Sequence, residues 1–451
     1  MISSDPDHPT PVGATARALA EEPDQESIVA MLFQLAAGGA APGRSELSVD
    51  EEAFPWRWSA RPDIDAAAPT APAGQPPASL PSVAYLLPGL PPEGSGGSHS
   101  LVQEARGLRA LGADARICVP MDSLTTAAAL YGNEDGLFAT YRSDPAFPGV
   151  SDSSLIDAVA DAEVAVASEY PSVELLGRLA RERPELVCAY YVQDYEPLFA
   201  APGSSRSDRA LLSYRAIPGQ VLFAKSHWLR NVVAELHGVA VAKVSPSLDR
   251  HLFHALERPD DDGVLRVAAM ARPRTPRRRP VATLASLAAI AAALGEAAEL
   301  YTFGCDERSF AEVHGHDVPG LTHLGLLERR EVAELMRRCD VFIDASAYQA
   351  FGRSGLEAMA CGAVPILPAL GGVHEYAVHE ENAMILADGS PYAIADAVVG
   401  LALERERLDA MRRAGVLGAQ GFSVELAARS QLELFSAAAG RRRLASAVQA
   451  P

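Results

Sequence analysis

No two of the five cysteines (Cys118, Cys188, Cys305, Cys339 and Cys361) stand in a Cys-x-x-Cys or similar metal spacing, and their number is odd. They read as free thiols in a reducing compartment, each a small buried hydrophobe. Basic charge is scarce: 39 Lys and Arg face 58 Asp and Glu, a formal net charge of −19. Phosphate backbones need basic patches, so nucleic acid is excluded as a partner and an anionic membrane surface is disfavoured. An anionic small molecule can bind only where arginines are gathered locally. Long apolar runs are missing too. Leu284–Leu300 comes closest, but it is short, ends in Glu296 and Glu299, and reads as a buried Ala-rich helix. The start, MISSDPDHPTPVG, has neither the basic opening nor the apolar run of a secretory signal. A cytoplasmic protein without a transmembrane segment is expected.

What is present suits a globular chain. Its 451 residues are 48% hydrophobic and 22% charged, enough for two or three domains with a large core. Residues 1–80 differ from the rest. Gln25–Ala37 reads as one amphipathic helix, Phe54–Trp58 (FPWRW) is an aromatic cluster, and Ala66–Pro81 has the Ala/Pro composition of a linker. This extension is expected to be partly disordered, its aromatics packing on the main body or docking a protein partner.

From Val83 short apolar runs alternate with helical patterns. Strands are expected at Val83–Leu87, Ala115–Val119, Ala162–Ala167, Val187–Val192, Val221–Ala224 and Ala240–Val244. After a break at Arg258–Gly263 (RPDDDG), a second series has strands at Leu265–Met270, Glu299–Phe303, Val341–Asp344 and Val364–Leu367. Such alternation predicts parallel sheets covered by helices on both faces. The expected fold is α/β, with two Rossmann-like doubly wound domains facing across a cleft. Residues 81–258 form the first domain, 263–425 the second, and 426–451 a C-terminal helix that crosses back, with a loose tail. Ligands in such sheets bind beyond the carboxyl ends of strands.

Four segments fall at such ends. The first is Phe351–Glu375 (FGRSGLEAMACGAVPILPALGGVHE). Gly352, Arg353, Ser354 and Gly355 open a helix whose first N–H groups suit a diphosphate, with Arg353 adding positive charge. Glu357 lies just inside that helix, where a carboxylate can accept two ribose hydroxyls. Gly371–Gly372 and Glu375 make a second tight turn. Singly these residues read as caps and dipole partners; as an ordered set they read as a ligand site. The second segment, Ala271–Arg279 (ARPRTPRRR), gathers Arg272, Arg274, Arg277, Arg278 and Arg279 in an acidic chain. Arginine suits phosphate contacts, and fixed positive charge stabilises a departing nucleoside diphosphate. The third is the glycine loop Gly94–His99 (GSGGSH), whose Gly96 and Gly97 let backbone approach phosphates. It is not GxGxxG and no acidic residue follows at the nicotinamide spacing, so a dehydrogenase is disfavoured. The fourth is Tyr190–Phe199 (YYVQDYEPLF), which places Gln193, Asp194 and Glu196 in a strand-end loop.

Together these segments resemble glycosyltransferase family 4, of the GT-B fold, over roughly residues 83–435, about four fifths of the chain. Glu357 matches the second glutamate of the family's Glu-x7-Glu pattern, and Gln349, an amide, stands where the first would be. GGVHE resembles the family's Gly-Gly-x-x-Glu turn. Arg272 matches a family arginine, with Arg277 or Arg278 in place of a lysine. Leu324–Leu327 resembles the strand end whose backbone reads the base. Val-Gln-Asp-x-Glu-Pro and the helix after Gly97 extend the likeness to a rhamnosyltransferase-like subgroup. Lys225–Arg230 and Val244–Asp249 resemble segments closing the first domain, with His227 structural.

The resemblance implies a retaining, metal-independent transfer of a sugar from a nucleoside-diphosphate donor to a carbohydrate acceptor, with no cofactor. It implies rhamnose carried on thymidine diphosphate as the donor. Arg272, Arg277, Asp194 and Gln349 would serve catalysis. Gly96, Gly97, Arg278, Leu324, Gly352, Arg353, Ser354, Glu357 and Glu375 would hold the donor, and Gln193 and Glu196 the acceptor. No Asp-x-Asp follows a suitable strand in the first domain, and Pro259–Gly263 lies in the linker, where it makes a poor metal site. Two alternatives stay open: an epimerase of the same fold, and an inactive nucleotide-sugar-binding scaffold.

Overall fold

The computed structural model describes residues 22–38, 80–91, 94–144, 147–151, 153–257, 262–313 and 318–449. The aromatic cluster at 54–58 and most of the Ala/Pro linker lie outside the described residues. The chain divides into two compact units, one of residues 31–249 with 422–451, the other of residues 1–30 with 250–421.

The first unit is built on a seven-stranded sheet in the order β3-β2-β1-β6-β7-β8-β9. Its strands are β1 (Val83–Leu86), β2 (Ala115–Pro120), β3 (Phe138–Tyr141), β6 (Val164–Ala167), β7 (Val187–Val192), β8 (Val221–Ala224) and β9 (Val241–Lys243). A two-stranded antiparallel piece, β4 (Ser143–Asp144) with β5 (Phe147–Ser151), stands apart. All seven strands pair parallel. Runs such as VAVA and VCAYYV are buried along their whole length, as strands covered on both faces must be. The order reverses between β1 and β6, so the loops after these two strands diverge around one point of the sheet edge.

The C-terminal helix, Val424–Gln449, belongs to this unit, so the last residues group with the first sheet. The tail expected to be loose from Ala439 continues the helix, because Phe435, Ala438 and Ala439 are buried in the first core. Its partner is the helix Gly96–Ala110. A Cβ at Gly107 would lie 2.7 Å from the Ala428 Cβ, so glycine there permits the close approach. A buried polar chain locks the contact. Tyr85 Oη donates to Gln431 (2.5 Å), Gln431 Nε2 donates to Glu104 (2.6 Å), and Ser247 Oγ donates to Glu104 (2.7 Å).

The second unit carries a six-stranded parallel sheet in the order β12-β11-β10-β13-β14-β15. These are β10 (Leu265–Met270), β11 (Ala298–Phe303), β12 (Leu321–His323), β13 (Val341–Ile343), β14 (Val364–Pro368) and β15 (Met384–Leu386). Here the order reverses between β10 and β13. The helix Pro280–Leu294 lies against the core through Leu284, Leu287 and Ile290. Burying each contributes about 1.5–3 kcal/mol. That anchorage fixes the arginine loop preceding it, and explains why the one helix among the described residues apolar enough to cross a membrane, Pro276–Ala297, is a core helix.

The helix Gln25–Gly38 was expected over Gln25–Ala37. Gln25, Ile28, Leu32 and Leu35 are buried, so this part of the extension is packed.

Candidate active site

In the second unit the loops after β10 and β13 leave opposite sides of the reversal point. The arginine loop spans it. Arg272 leans toward the β11 end: its Nε bonds the Met270 sulfur at 3.4 Å and would lie 3.7 Å from a Cβ at Gly304. Arg277 and Arg278 lean toward the β13 end. The Arg277 guanidinium lies over the Tyr348 ring at 5.7 Å and its carbonyl accepts from Ala347 N at 2.9 Å. Arg278 Nη1 reaches Ser346 Oγ at 3.5 Å. Arg274 is exposed. Arg279 departs from the expected cluster. It is buried at φ 50°, and its Nη1 donates to the Gly389 carbonyl at 2.6 Å. Burial lowers its pKa, with Glu22 and Asp24 opposing the shift. It therefore ties loops together and brings no free charge to a phosphate.

Gln349 is buried beside these arginines. Its amide nitrogen donates to Asp344 and, at 3.3 Å, to Ser346 Oγ. That side-chain NH2 is turned toward the β13 loop, a geometry that the sequence reading of a sugar contact did not include. Its backbone bridges Gly371: Gln349 N donates to Leu370 O (3.2 Å) and Gly372 N donates to Gln349 O (2.7 Å). Gly371 sits at φ 120°, and any Cβ there would overlap the Gln349 carbonyl. A left-handed, side-chain-free residue is the only one that fits. The sequence reading gave Asp344, Ser346 and Leu370 no role at the site, since nothing local marks them for one.

The helix Arg353–Ala360 has Gly352, at φ 82°, as its N-cap. Its first N–H groups have no intrahelical acceptors, so Gly352, Arg353 and Ser354 keep the backbone polarity foreseen for a diphosphate. The reason for the glycines differs from the expectation. Tyr376 Oη donates to the Gly352 carbonyl at 2.6 Å, and a Cβ at Gly355 would lie 2.5 Å from that oxygen. The glycines make room for a buried tyrosine.

The charge of Arg353 is also placed otherwise. Its Nε meets Glu357 Oε1 at 2.8 Å, and the two side chains are 11% and 9% exposed. Arg329 Nη2 is 3.8 Å from the same oxygen. Arg353 is thus the partner of Glu357 at i, i+4 and not a cation presented at the helix start. Oε1 of Glu357 therefore faces arginine, a contact that the reading of this carboxylate as a ribose ligand did not include. Glu375 ends the short helical turn Gly372–Glu375 and is half-buried. Leu324 extends β12, its N–H bonded to Thr302 O at 2.8 Å, so that donor is engaged within the sheet.

The reversal point of the first sheet gathers other residues. Ser95 and Ser98 form a capping box that starts the helix at Gly96. A Cβ at Gly96 would meet open space, whereas at Gly97 it would lie 3.1 Å from Gln193 Nε2. Gln193 Nε2 donates weakly to Ser168 O (3.4 Å), and its Oε1 is buried with no hydrogen-bond donor among the described residues. Gly97, Ser168 and Gln193 thus meet where β1 and β6 diverge. Asp194 is half-buried and accepts from Tyr195 N at 2.9 Å.

Glu196 lies elsewhere. It is buried, accepting from Tyr170 N (2.8 Å) and Tyr190 Oη (3.1 Å). Loss of water pushes its carboxyl up to about 8, with the Glu169 charge as the next cause. It holds the start of the helix Tyr170–Glu182 from inside the fold, which corrects the expectation that it binds an acceptor. His227 opens the helix His227–His237. A cavity of about 590 Å³ lies at the opposite ends of β7 and β8, lined by Arg181, Cys188, Ile217 and Arg442, and holds none of the expected site residues.

Comparison with known proteins bears on the fold and on one segment of the chain. Residues 313–416 match the family described as Glycosyl transferases group 1. The O-antigen biosynthesis protein RfbC of Myxococcus xanthus is 34% identical over 174 residues, 38% of this chain and 13% of that protein. D-inositol 3-phosphate glycosyltransferase of Xylanimonas cellulosilytica is 32% identical over 117 residues, 26% of this chain and 28% of that protein. The matches thus span little more than a quarter of these relatives at most. Anabaena Alr3699/HepE, solved in complex with UDP and glucose, matches with a TM-score of 0.63 at 16% identity, covering 79% of this chain and all of that one. Two parallel α/β sheets, the family match over residues 313–416 and this likeness of fold lead to one conclusion: the chain has a GT-B fold, and its residues 313–416 are similar to the group 1 glycosyl transferases.

Proposed function

We propose that the chain is a glycosyltransferase that moves a sugar from a nucleoside-diphosphate donor to a carbohydrate acceptor. The observation that carries this is the edge of the second sheet at β10 and β13. Arg272, Arg277 and Arg278 straddle the reversal point there, and Ser346, Gln349, Gly352 and the helix start at Arg353 follow in the loop after β13. Fixed cations and the positive end of a helix dipole suit the growing charge of a departing diphosphate. The UDP and glucose of the Anabaena neighbour support a nucleotide sugar, and the O-antigen relative supports a polysaccharide pathway.

In this reading Arg272 and Arg277 stabilise the leaving phosphate, which lies at Gly352–Ser354. The bond from the anomeric carbon to the phosphate oxygen breaks. The acceptor hydroxyl then adds on the same face, its proton passing to the departing phosphate, so the configuration is retained. The arginines meet the phosphate charge, so no metal or cofactor is assigned. Gln193, whose carbonyl oxygen has no donor among the described residues, and Asp194 are assigned to the acceptor; Leu324 and Glu375 remain assigned to the donor. Rhamnose carried on thymidine diphosphate is the proposed donor, from the family resemblance, and the cytoplasm is the proposed location, from the five free, buried cysteines. The N-terminal extension, which contains the aromatic segment 54–58, is a candidate docking segment for a protein partner.

A thermal-shift screen over nucleotide sugars, then product analysis with the best donor and a glycan acceptor, tests the proposal. Transfer with retained configuration supports it. Product from donor alone would indicate an epimerase. Binding without donor loss would indicate a scaffold, the reading that the amide at Gln349 favours.

A further inference from the structure

The loops of the candidate site are held from an unexpected direction. The helix Pro280–Leu294, directly behind the arginine loop, has no side-chain cap of its own: Arg279 stands at its N-cap with left-handed backbone and its side chain turned to Gly389. The missing cap comes from far away in sequence. Glu22 Oε1 accepts from Val281 N at 2.7 Å and Oε2 from Ala282 N at 3.0 Å. A carboxylate at this position answers both the open amides and the helix dipole.

Three residues on, Gln25 grips the other side. Its Nε2 donates to the carbonyls of Leu386 and Ala387, both at 2.9 Å, and its Oε1 accepts from Leu370 N at 3.0 Å. The Leu370 carbonyl in turn accepts from Gln349 N. Asp24 between them accepts from Ser27 N and Oγ at 2.8 and 2.7 Å, which sets the helix start that presents Gln25. One short segment therefore holds the loop after β10 through Glu22 and the loops after β14 and β15 through Gln25. The loop after β10 carries Arg277 and Arg278, and the loop after β14 is hydrogen-bonded to Gln349 through Leu370 and Gly372.

We propose that Glu22 and Gln25 are positioning residues, a clip that fixes the arginine loop and the Gln349 loop at the spacing a nucleoside diphosphate requires. Glu22 also occupies one of the two helix starts near the reversal point, and so leaves the start at Gly352–Ser354 for the diphosphate. The inference rests on the transferase reading for its ligand, and on the hydrogen bonds alone for its mechanics.

The test uses the full chain with Glu22→Ala, Glu22→Gln, Gln25→Ala and the double Ala variant. Two quantities are read: amide hydrogen exchange, and the dissociation constants of UDP and dTDP with donor KM and kcat. In Glu22→Ala, exchange at Val281 and Ala282 should quicken about tenfold, as for a lost cap. The Ala347 and Gln349 amides should quicken in the double variant. Diphosphate dissociation constants and donor KM should rise about fivefold while kcat changes less, as for an interaction lost equally from ground and transition states. Glu22→Gln, which keeps one acceptor, should recover most of the loss. Unchanged exchange at Ala347 and Gln349, or unchanged diphosphate affinity in a variant whose exchange has quickened, overturns the clip. If the wild type binds neither diphosphate, the transferase reading falls instead, and exchange at Ala347 and Gln349 alone decides whether the clip stands.

Discussion

Replacing Glu196 by glutamine should flatten the pH dependence of stability in the unit that contains it. The carboxyl is 4% exposed and pushed up from an ordinary 4.5 to about 8, first by burial and then by Glu169. The hydrogen bonds from Tyr170 N and Tyr190 Oη oppose the shift but do not cancel it. A raised carboxyl favours folding in its protonated form. Its contribution is present in full below the ordinary value near 4.5 and is lost as pH climbs through about 8. From pH 6 to 8 the loss is at most about 3 kcal/mol. For a unit of this size that is roughly 6–10 °C in Tm. Glutamine has nearly the same shape, can accept from Tyr170 N, and does not titrate. Thermal denaturation of both proteins from pH 6 to 9, followed by tyrosine and tryptophan fluorescence, gives the difference in Tm at each pH. The wild type should fall relative to Glu196→Gln as pH rises. Parallel curves would refute the reasoning and return Glu196 to solvent, where an acceptor could reach it.

Arg272→Ala should lower kcat about 100-fold with retained folding, the usual scale for one lost charge-stabilising donor; an unchanged rate in steady-state assays removes it from the mechanism. Gly355→Ala drives a Cβ to 2.5 Å from Tyr376 Oη and should cost about 1–3 kcal/mol in denaturant titration. Gly355→Ala combined with Tyr376→Phe should recover part of that cost, and no recovery would mean the clash lies with Leu367 instead. Gln431→Leu leaves Glu104 with one buried bond fewer and should destabilise the protein by about 2–4 kcal/mol, read as a lower urea midpoint. A neutral result would mean that the C-terminal helix is held by its apolar face alone.

The alternation of apolar runs with helical patterns placed the principal strands of both sheets, because a strand buried on both faces must be apolar throughout. Val187–Val192, Val221–Ala224 and Leu265–Met270 have the expected limits. Strands such as β3, β12 and β15 were not separable from loops, since they are only partly buried and so need no continuous apolar run. The site was legible as order: arginines after one strand, glycines and a glutamate after another. The ion pair that occupies Arg353 and the tyrosine that makes Gly355 necessary were not legible, nor was the burial of Glu196.

By itself, then, the sequence determined the α/β class, the positions of most strands, and the loops at which a phosphate could be met, because each depends on neighbours within a turn or a strand. Tertiary structure alone decided which charges are available. Arg279 and Arg353 look like their neighbours in the sequence, but each is held by a specific partner, Gly389 and Glu357 respectively. Glu22 caps a helix 259 residues away, a pairing fixed only when distant segments pack, and no local pattern encodes it.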